Sequence, residues 1–316
     1  MSPGSKNNSS RGPLSLGDRQ SILWLRAELV QSVRSFFISR DYLEVETPHL
    51  IPAPAPEVHI DAIKAGHGFL HTSPEICMKR LLAARYSKIF QICRSFRQNE
   101  RGKQHLPEFT LLEWYRAGWD YFQLLDECEE LICFIAEQLD RKNRLIYQEL
   151  EITLNRPWER ISVSSAFERF AGISLSEALS KIMFDQVMIE KIESNLNHSK
   201  PTFLYDYPAP LAALSRLKPG QPDLAERFEL YIGGLEIANA FSELTDPEEQ
   251  EQRFLRDLEM RREVGKAVYP LPRKFLSDLQ HMPASAGIAL GIDRLVMLFA
   301  DQDVIDNVVA FTPDEL

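Results

Sequence analysis

Arginines, an imidazole, carboxylates and aromatic rings crowd into the sixteen residues Arg94-Ser-Phe-Arg97-Gln98-Asn99-Glu100 to His105-Leu106-Pro-Glu108-Phe109. Guanidiniums grip phosphate oxygens, an aromatic face takes a base, and a carboxylate holds a metal or an amine, so the set suits a polyphosphate nucleotide. A surface salt-bridge cluster has a similar composition, and this segment alone does not separate the two. A second constellation, Glu236-Ile237-Ala-Asn239-Ala240-Phe-Ser-Glu243, sets two carboxylates and an amide among small residues. Mg²⁺ takes such carboxylates together with phosphate oxygens. Residues seven apart on a straight strand face opposite sides, so Glu236 and Glu243 converge only across a bend or bulge. A third, Gly287-Ile-Ala289-Leu-Gly291-Ile-Asp-Arg294, spaces glycines where a ligand can come close and ends in an arginine at a helix start. An anion binds at such a place.

The elements that must position these residues follow from periodicity. Apolar residues recur at three and four from Ser21 to Asp41, a long amphipathic helix, and Leu43–Pro48 then alternates as a strand. Ser73-Pro74-Glu75 has the chemistry of a helix start, Ser73 as N-cap, for a helix reaching about Tyr86. Strands are expected over 88–96 and 109–116 around the polar loop, and a helix over 121–139. From 140 to 222 the patterning weakens, with helical pieces at 163–170 and 175–196 and a strand at 202–205. Strands follow at 227–232 and 235–243 around Gly233-Gly234, then a helix from Asp246 to Gly265 and a strand over 286–293 feeding a last helix. Strands joined by hairpins, with helices between blocks of them, give an α+β fold whose sheet is mostly antiparallel and flanked by helices.

The 316 residues, 44% hydrophobic and 26% charged, are ordinary for a globular chain, and no apolar run approaches a membrane span. Residues 1–13 lack the apolar core of a signal peptide, so a cytoplasmic protein is expected. Cys77, Cys93, Cys128 and Cys133 form no CxxC pair and read as free thiols. The net charge of −10 is uneven: Lys79 to Lys103 carries eight bases and one acid, or +7, which leaves −17 elsewhere. Such a chain is a poor general nucleic-acid binder, and the strip suits either a phosphate pocket or a solvated helix face. No GxGxxG opens a helix after a strand and no P-loop is present, which removes two common nucleotide-binding folds.

The order of the blocks resembles the class II aminoacyl-tRNA synthetases over nearly all of residues 20–312. Leu43–Pro48 resembles their motif 1, Arg94–Tyr115 motif 2 and Gly287–Arg294 motif 3, and Phe241-Ser-Glu243-Leu is similar to the lysine branch. Only about twenty residues precede the first helix, too few for that branch's anticodon-binding domain. The expected organisation is a disordered tail at 1–16 and a class II catalytic domain at 17–316. An insertion at 140–222 lies within it, and no anticodon-binding domain is expected. The wording Thr72-Ser-Pro-Glu75 and Leu112-Glu-Trp-Tyr115 is similar to that of truncated lysyl-tRNA synthetase paralogues that join (R)-β-lysine to elongation factor P. Ala289 stands where full synthetases place glycine, and its methyl group would narrow the amino-acid pocket.

The resemblance implies ATP and Mg²⁺, an amino-acid substrate, elongation factor P as acceptor, a homodimer built on motif 1, and neither tRNA nor a membrane as partner. It implies an ATP site of Arg97, Gln98, Asn99, Glu100, His105, Leu106, Phe109, Glu236, Ile237, Gly291 and Arg294. The substrate would meet Ser73, Pro74, Glu75, Tyr115, Asn239, Glu243 and Ala289, with Glu236 and Glu243 on the metal. Arg97, Glu236, Glu243 and Arg294 would carry catalysis by positioning and charge neutralisation, without a protein nucleophile. Three departures stand out: Asn99 where the family has glutamate (Glu100 falls one place late), Leu106 for asparagine, and Ala240 for glycine, each expected to remove a polar contact or add bulk at the nucleotide side. They leave open a weakened paralogue that binds an amino acid or nucleotide in a regulatory role, or an amide-forming enzyme with a small-molecule acceptor.

Overall fold

Alternation between Lys88 and Ala117 does what its period requires: Lys88–Phe96 and Glu108–Ala117 pair as an antiparallel hairpin, Ile89 opposite Tyr115 and Gln91 opposite Glu113. The computed structural model describes residues 14–316. Among these, nine strands form the main sheet. Its order is Leu43–Glu44, Lys88–Phe96, Glu108–Ala117, Ser285–Gly291, Leu235–Ser242, Gln221–Ile232, Thr202–Pro208 and Glu159–Ser162. Leu217–Lys218 pairs beside Gln221–Ile232. Inner neighbours run antiparallel, and the two outermost pairings are parallel.

The faces of this sheet divide the labour. Leu112, Trp114, Phe228, Leu230, Ile288 and Leu290 point to one side and are almost wholly buried in the main core. The same core takes the apolar stripes of the helices Gln20–Ile38, Tyr121–Gln138 and Ile292–Phe299. Burying each such side chain contributes about 1.5–3 kcal/mol, enough to make the sheet a rigid floor. Residues of the opposite parity form the cleft floor. Glu113, Ala289, Asn239 and Glu229 stand opposite one another in one row, and Tyr115, Gly287, Phe241 and Arg227 in the next.

Several expectations shift on this frame. The motif 1-like strand pairs only through Leu43 and Glu44, opposite Ile89 and Phe90. The helix expected from Ser73 spans Glu75–Ala83 with Pro74 at its N-cap, and the Ser73 hydroxyl accepts the Glu75 N–H at 3.0 Å. The helix expected over 175–196 breaks at Ile182, whose φ of 53° ends Leu175–Ser180 before Phe184–Val187 begins. The 140–222 stretch is woven into the sheet: it supplies Glu159–Ser162 and Thr202–Pro208, and Ala209–Leu214 overhang the cleft. The tail expected at 1–16 lies outside the described residues up to Pro13. Leu14 is fixed, its N–H donating to Asn307 Oδ1 at 2.7 Å. All four cysteines are free, and among the described residues no helix is long and apolar enough to cross a membrane.

The basic strip does not act as a unit. Arg80 pairs with Asp278, Arg94 with Glu108, Arg101 with Asp306 and Asp314, and Lys103 with Asp303. Of the eight bases only Arg97 lines the cleft, where a phosphate could meet it, and Lys79 is wholly buried and not on a solvated helix face.

Candidate active site

Above the two rows of floor residues lies a cleft of about 1090 Å³. One end is built on Glu113, a carboxylate 1% exposed between Leu111, Leu112, Trp114 and Tyr115 of its strand. Its Oε1 accepts the Ser73 hydroxyl at 2.5 Å and its Oε2 the Tyr115 hydroxyl at 2.8 Å. Glu75 projects from the first turn of its helix, and one turn on Lys79 places Nζ 2.5 Å from Glu75 Oε1 and 2.5 Å from Glu243 Oε2. Residues four apart on a helix lie one above the other, which is how one face carries both charges. Gly287 makes the packing possible, since a Cβ there would stand 2.2 Å from the Tyr115 ring and 2.3 Å from Glu243 Oε1.

The buried Glu113 and Glu243 and the half-buried Glu75 share one ammonium here, and the titration of Glu113 and Glu243 reflects that imbalance. Burial, then the charge of Glu75, pushes Glu113 up to about 7. Burial likewise pushes Glu243 up to about 8 against the pull of Lys79. Burial would depress Lys79, but the charges of Glu243 and Glu75 hold it above its ordinary value. The empty site therefore holds protons that ordinary glutamates have released by neutral pH, and a bound cationic group would take their place.

At the other end the strand contains a bulge, the device that convergence of Glu236 and Glu243 would require. Leu230 pairs with Ala238 but Tyr231 with Glu236, so Ile237 is an extra, bulged residue. The bulge turns Glu236 to the cleft side shared by Asn239, Phe241 and Glu243. Glu236 and Glu243 still do not meet, because seven residues span roughly 20 Å of strand. Glu236 engages Arg294 instead: Nη1 donates to its carbonyl at 2.8 Å and lies 3.2 Å from Oε2. Arg294 Nη2 stands 2.6 Å from His105 Nε2. Burial and the arginine's charge lower His105, so the ring is neutral and accepts. The buried Asp293 aims this helix start: its carboxylate accepts the Thr110 N–H at 2.7 Å and pairs with Arg26 at 2.6 Å. Across the cleft, the Arg97 guanidinium lies 5.0 Å over the Phe109 ring.

Most residues singled out in the sequence come together in this cleft: Ser73, Glu75, Arg97, Glu100, His105, Leu106, Phe109, Tyr115, Glu236, Ile237, Asn239, Ala289, Gly291 and Arg294 line it. Four do not. Pro74 is buried at the helix N-cap, and Glu243 lies behind Gly287 with Lys79. Gln98 and Asn99 are exposed and off the cleft wall. Asn99 takes a left-handed φ of 65°, a conformation asparagine tolerates, and the turn brings Glu100 to 3.8 Å from Arg97. Glu100, one place late in sequence, thus holds the cleft position that Asn99 was expected to hold. Ala240 was expected to crowd the nucleotide side, but its methyl group points away from the cleft into the core, 0% exposed. Leu106 is 3% exposed and belongs to the same core.

The sequence model of tRNA synthetases class II (D, K and N) matches residues 14–315. The chain belongs to this family. Among curated relatives, this synthetase-family chain is 39% identical over 303 residues to a protein of Pseudoalteromonas translucida, covering 90% of this chain and 93% of that one. It is 38% identical to a Vibrio cholerae protein (90% and 93% covered) and 37% identical to one from Salmonella typhi (92% and 94%). All three are named elongation factor P–(R)-β-lysine ligase.

Sequence reading of this class II chain passed over Glu113, Lys79 and the pair Arg227–Glu229. Glu113 had a signal, a lone carboxylate amid Leu111, Leu112, Trp114 and Tyr115. Lys79 had one too, at the i+4 position from Glu75. Arg227 donates to Glu229 Oε1 at 2.6 Å and to Asn239 Oδ1 at 3.0 Å, fixing the amide on the cleft floor. Tyr207 and Tyr231 close the other carboxylate oxygen of Glu229 at 2.6 and 2.7 Å. That network depends on cross-strand register, which the sequence does not display.

Proposed function

We propose that this chain activates a diamino acid with ATP, (R)-β-lysine as in its relatives' names, and joins it to a lysine side chain of elongation factor P. The observation that carries this reading is the charge deficit at Glu75, Glu113 and Glu243, with Lys79 as their one buried cation. A substrate with two ammonium groups supplies the missing positive charge, and the hydroxyls of Ser73 and Tyr115 fix the carboxylate of Glu113 in place for it. A neutral or acidic amino acid would leave buried carboxylates unpaired, at a cost of several kcal/mol.

The substrate carboxylate then attacks the α-phosphorus of ATP, pyrophosphate leaves, and the acceptor amine displaces AMP from the adenylate. Arg97 would steady the α-phosphate beside Glu100, and Phe109 and Arg294 would hold the adenine between them. Glu236, 40% exposed at its side chain, is the carboxylate that would hold Mg²⁺ together with phosphate oxygens. Bound there, the ion supplies positive charge to the phosphates. Glu243, engaged by Lys79, belongs to the amino-acid end in this reading.

The test is amino-acid-dependent ATP–pyrophosphate exchange with α-lysine and both β-lysine enantiomers, followed by the mass of elongation factor P. Exchange with β-lysine and a mass gain of one β-lysyl group are expected. Silence with every diamino acid would sink the reading.

A homodimer is part of the same proposal. Leu43, in the motif 1-like edge strand, and Leu50, just beyond that segment, are 49% and 55% exposed, and Trp24 on the first helix is 66% exposed. Such apolar surface suits an interface between copies. Light scattering is expected to give twice the monomer mass at micromolar concentration, and a monomer there would refute it.

A further inference from the structure

Glu57 is a charged residue of the cleft wall that the scheme above does not use. It sits on a segment the fold holds rigidly. The wholly buried Arg261 donates to the Glu57 carbonyl at 2.6 Å and the Ile60 carbonyl at 2.9 Å, and pairs with Asp61 at 2.7 Å. Lys266 holds the Val58 carbonyl at 3.0 Å, and the Ala62 N–H donates to the Tyr269 hydroxyl at 2.8 Å. Every one of these bonds goes to the backbone or to Asp61. Among the described residues no hydrogen bond or ion pair engages the Glu57 carboxylate. A fixed backbone carrying a half-buried, unpartnered carboxylate into a cleft leaves that carboxylate free to meet a ligand.

Its surroundings define that ligand. Glu57 lines the same cleft as Glu75 at the amino-acid end and Arg97 at the phosphate end. Its segment borders the Arg97 loop, where the Gln98 N–H donates to the Asp61 carbonyl at 2.7 Å. The charges of Glu75 and Arg97 both act on it, with those of Arg227 from the floor and Asp257 from the helix Pro247–Glu263. An aminoacyl adenylate spanning those two ends would pass its carbonyl along the wall that bears Glu57.

The geometry points to Glu57 as the group that receives a proton from the incoming acceptor ammonium in the second half-reaction. This assignment rests on the ligase reading. The carboxylate takes one proton from the ε-ammonium and leaves a neutral amine. The amine nitrogen bonds to the carbonyl carbon, the C–O bond to phosphate breaks, and AMP departs with the electron pair. The second nitrogen proton passes to the departing phosphate oxygen, and Glu57 later returns its own to solvent. Burial, then the charge of Glu75, raises Glu57 to about 7, closer to the amine than an ordinary glutamate.

The experiment compares Glu57→Gln and Glu57→Asp with wild type in pyrophosphate exchange with (R)-β-lysine and in single-turnover transfer to elongation factor P from pH 6 to 9.5. Loss of a positioned proton acceptor is expected to slow transfer by about 100-fold at pH 7, well beyond any change in exchange. Wild-type transfer should level off above about pH 7. Transfer by Glu57→Gln should keep climbing toward the amine's own ionisation at about 10.4. Hydroxylamine, already neutral at pH 7, should take the aminoacyl group from the variant with little loss, and Glu57→Asp should recover part of the rate. Equal losses in transfer and exchange would overturn the assignment. So would a rise in KM for β-lysine as the main defect, which would make Glu57 a reader of the amino acid. A wild type silent in exchange would instead strike the ligase reading beneath it.

Discussion

Gly287→Ala is expected to lose at least about 100-fold in amino-acid-dependent pyrophosphate exchange, from a single added methyl group. The added Cβ would lie 2.2 Å from Tyr115 Cε1 and 2.3 Å from Glu243 Oε1, well inside van der Waals contact. Neither neighbour has an easy retreat. Tyr115 is 3% exposed with its hydroxyl donated to Glu113, and Glu243 is held by Lys79. The glycine cannot withdraw either, because it is paired on both sides, with Tyr115 and with Phe241. Overpacking of this kind costs about 1–3 kcal/mol of stability. Displacing the ring by about 1 Å would also pull apart the hydroxyl and carboxylates that meet the amino acid, and misplacement on that scale costs roughly 100-fold in rate. Gly102→Ala is the control, since nothing lies within 4 Å of the Cβ it would add. Exchange by Gly287→Ala within a few-fold of wild type would show that the site does not depend on this close approach.

That dependence also marks where sequence reasoning was strong and where it stopped. The strands and helices bearing the site were legible because their periods are set by burial on one face: the hairpin 88–117, the helix from Tyr121 and the final strand all lie close to where their patterns put them. The spacing Glu236-x₆-Glu243 allowed convergence only across a bulge; Ile237 is a bulge, yet the two carboxylates stay apart. Nothing in the spacing showed that the two carboxylates would take different cations. Arg294 reaches Glu236 across 58 residues and Lys79 reaches Glu243 from another element, so those partners are decided by packing. Ala240 was misread for a related reason. Its side follows from strand parity, and its methyl group falls on the core face, where it cannot touch a nucleotide. Glu100 needed backbone geometry: only the left-handed turn at Asn99 shows which neighbour faces Arg97.

Lys79→Met is expected to destabilise the ligand-free protein by about 3–5 kcal/mol at pH 8, with the deficit shrinking toward pH 5. Lys79 is wholly buried and is the ammonium that faces Glu75 and Glu243, so its loss leaves carboxylates charged and unpaired. The pH dependence follows from which groups are ionised. Glu243 at about 8 and Glu113 at about 7 both lie above the ordinary glutamate value, so the folded state binds more protons than the unfolded one from about pH 4.5 upward. Stability from this cluster therefore falls as pH rises through that window. In wild type Lys79 opposes the fall, because its attraction grows as the carboxylates ionise. It stays charged throughout, since its own ionisation lies above the ordinary lysine value. Without it the fall should be steeper, and the two stability curves should separate between pH 5 and pH 8. Urea unfolding at both pH values would read the separation, and Lys79→Met combined with Glu243→Gln should recover part of it, because the unpaired charge is gone. A deficit independent of pH would mean that Lys79 acts through packing alone. The charge deficit proposed to select a diamino acid would then have no thermodynamic expression in the empty protein.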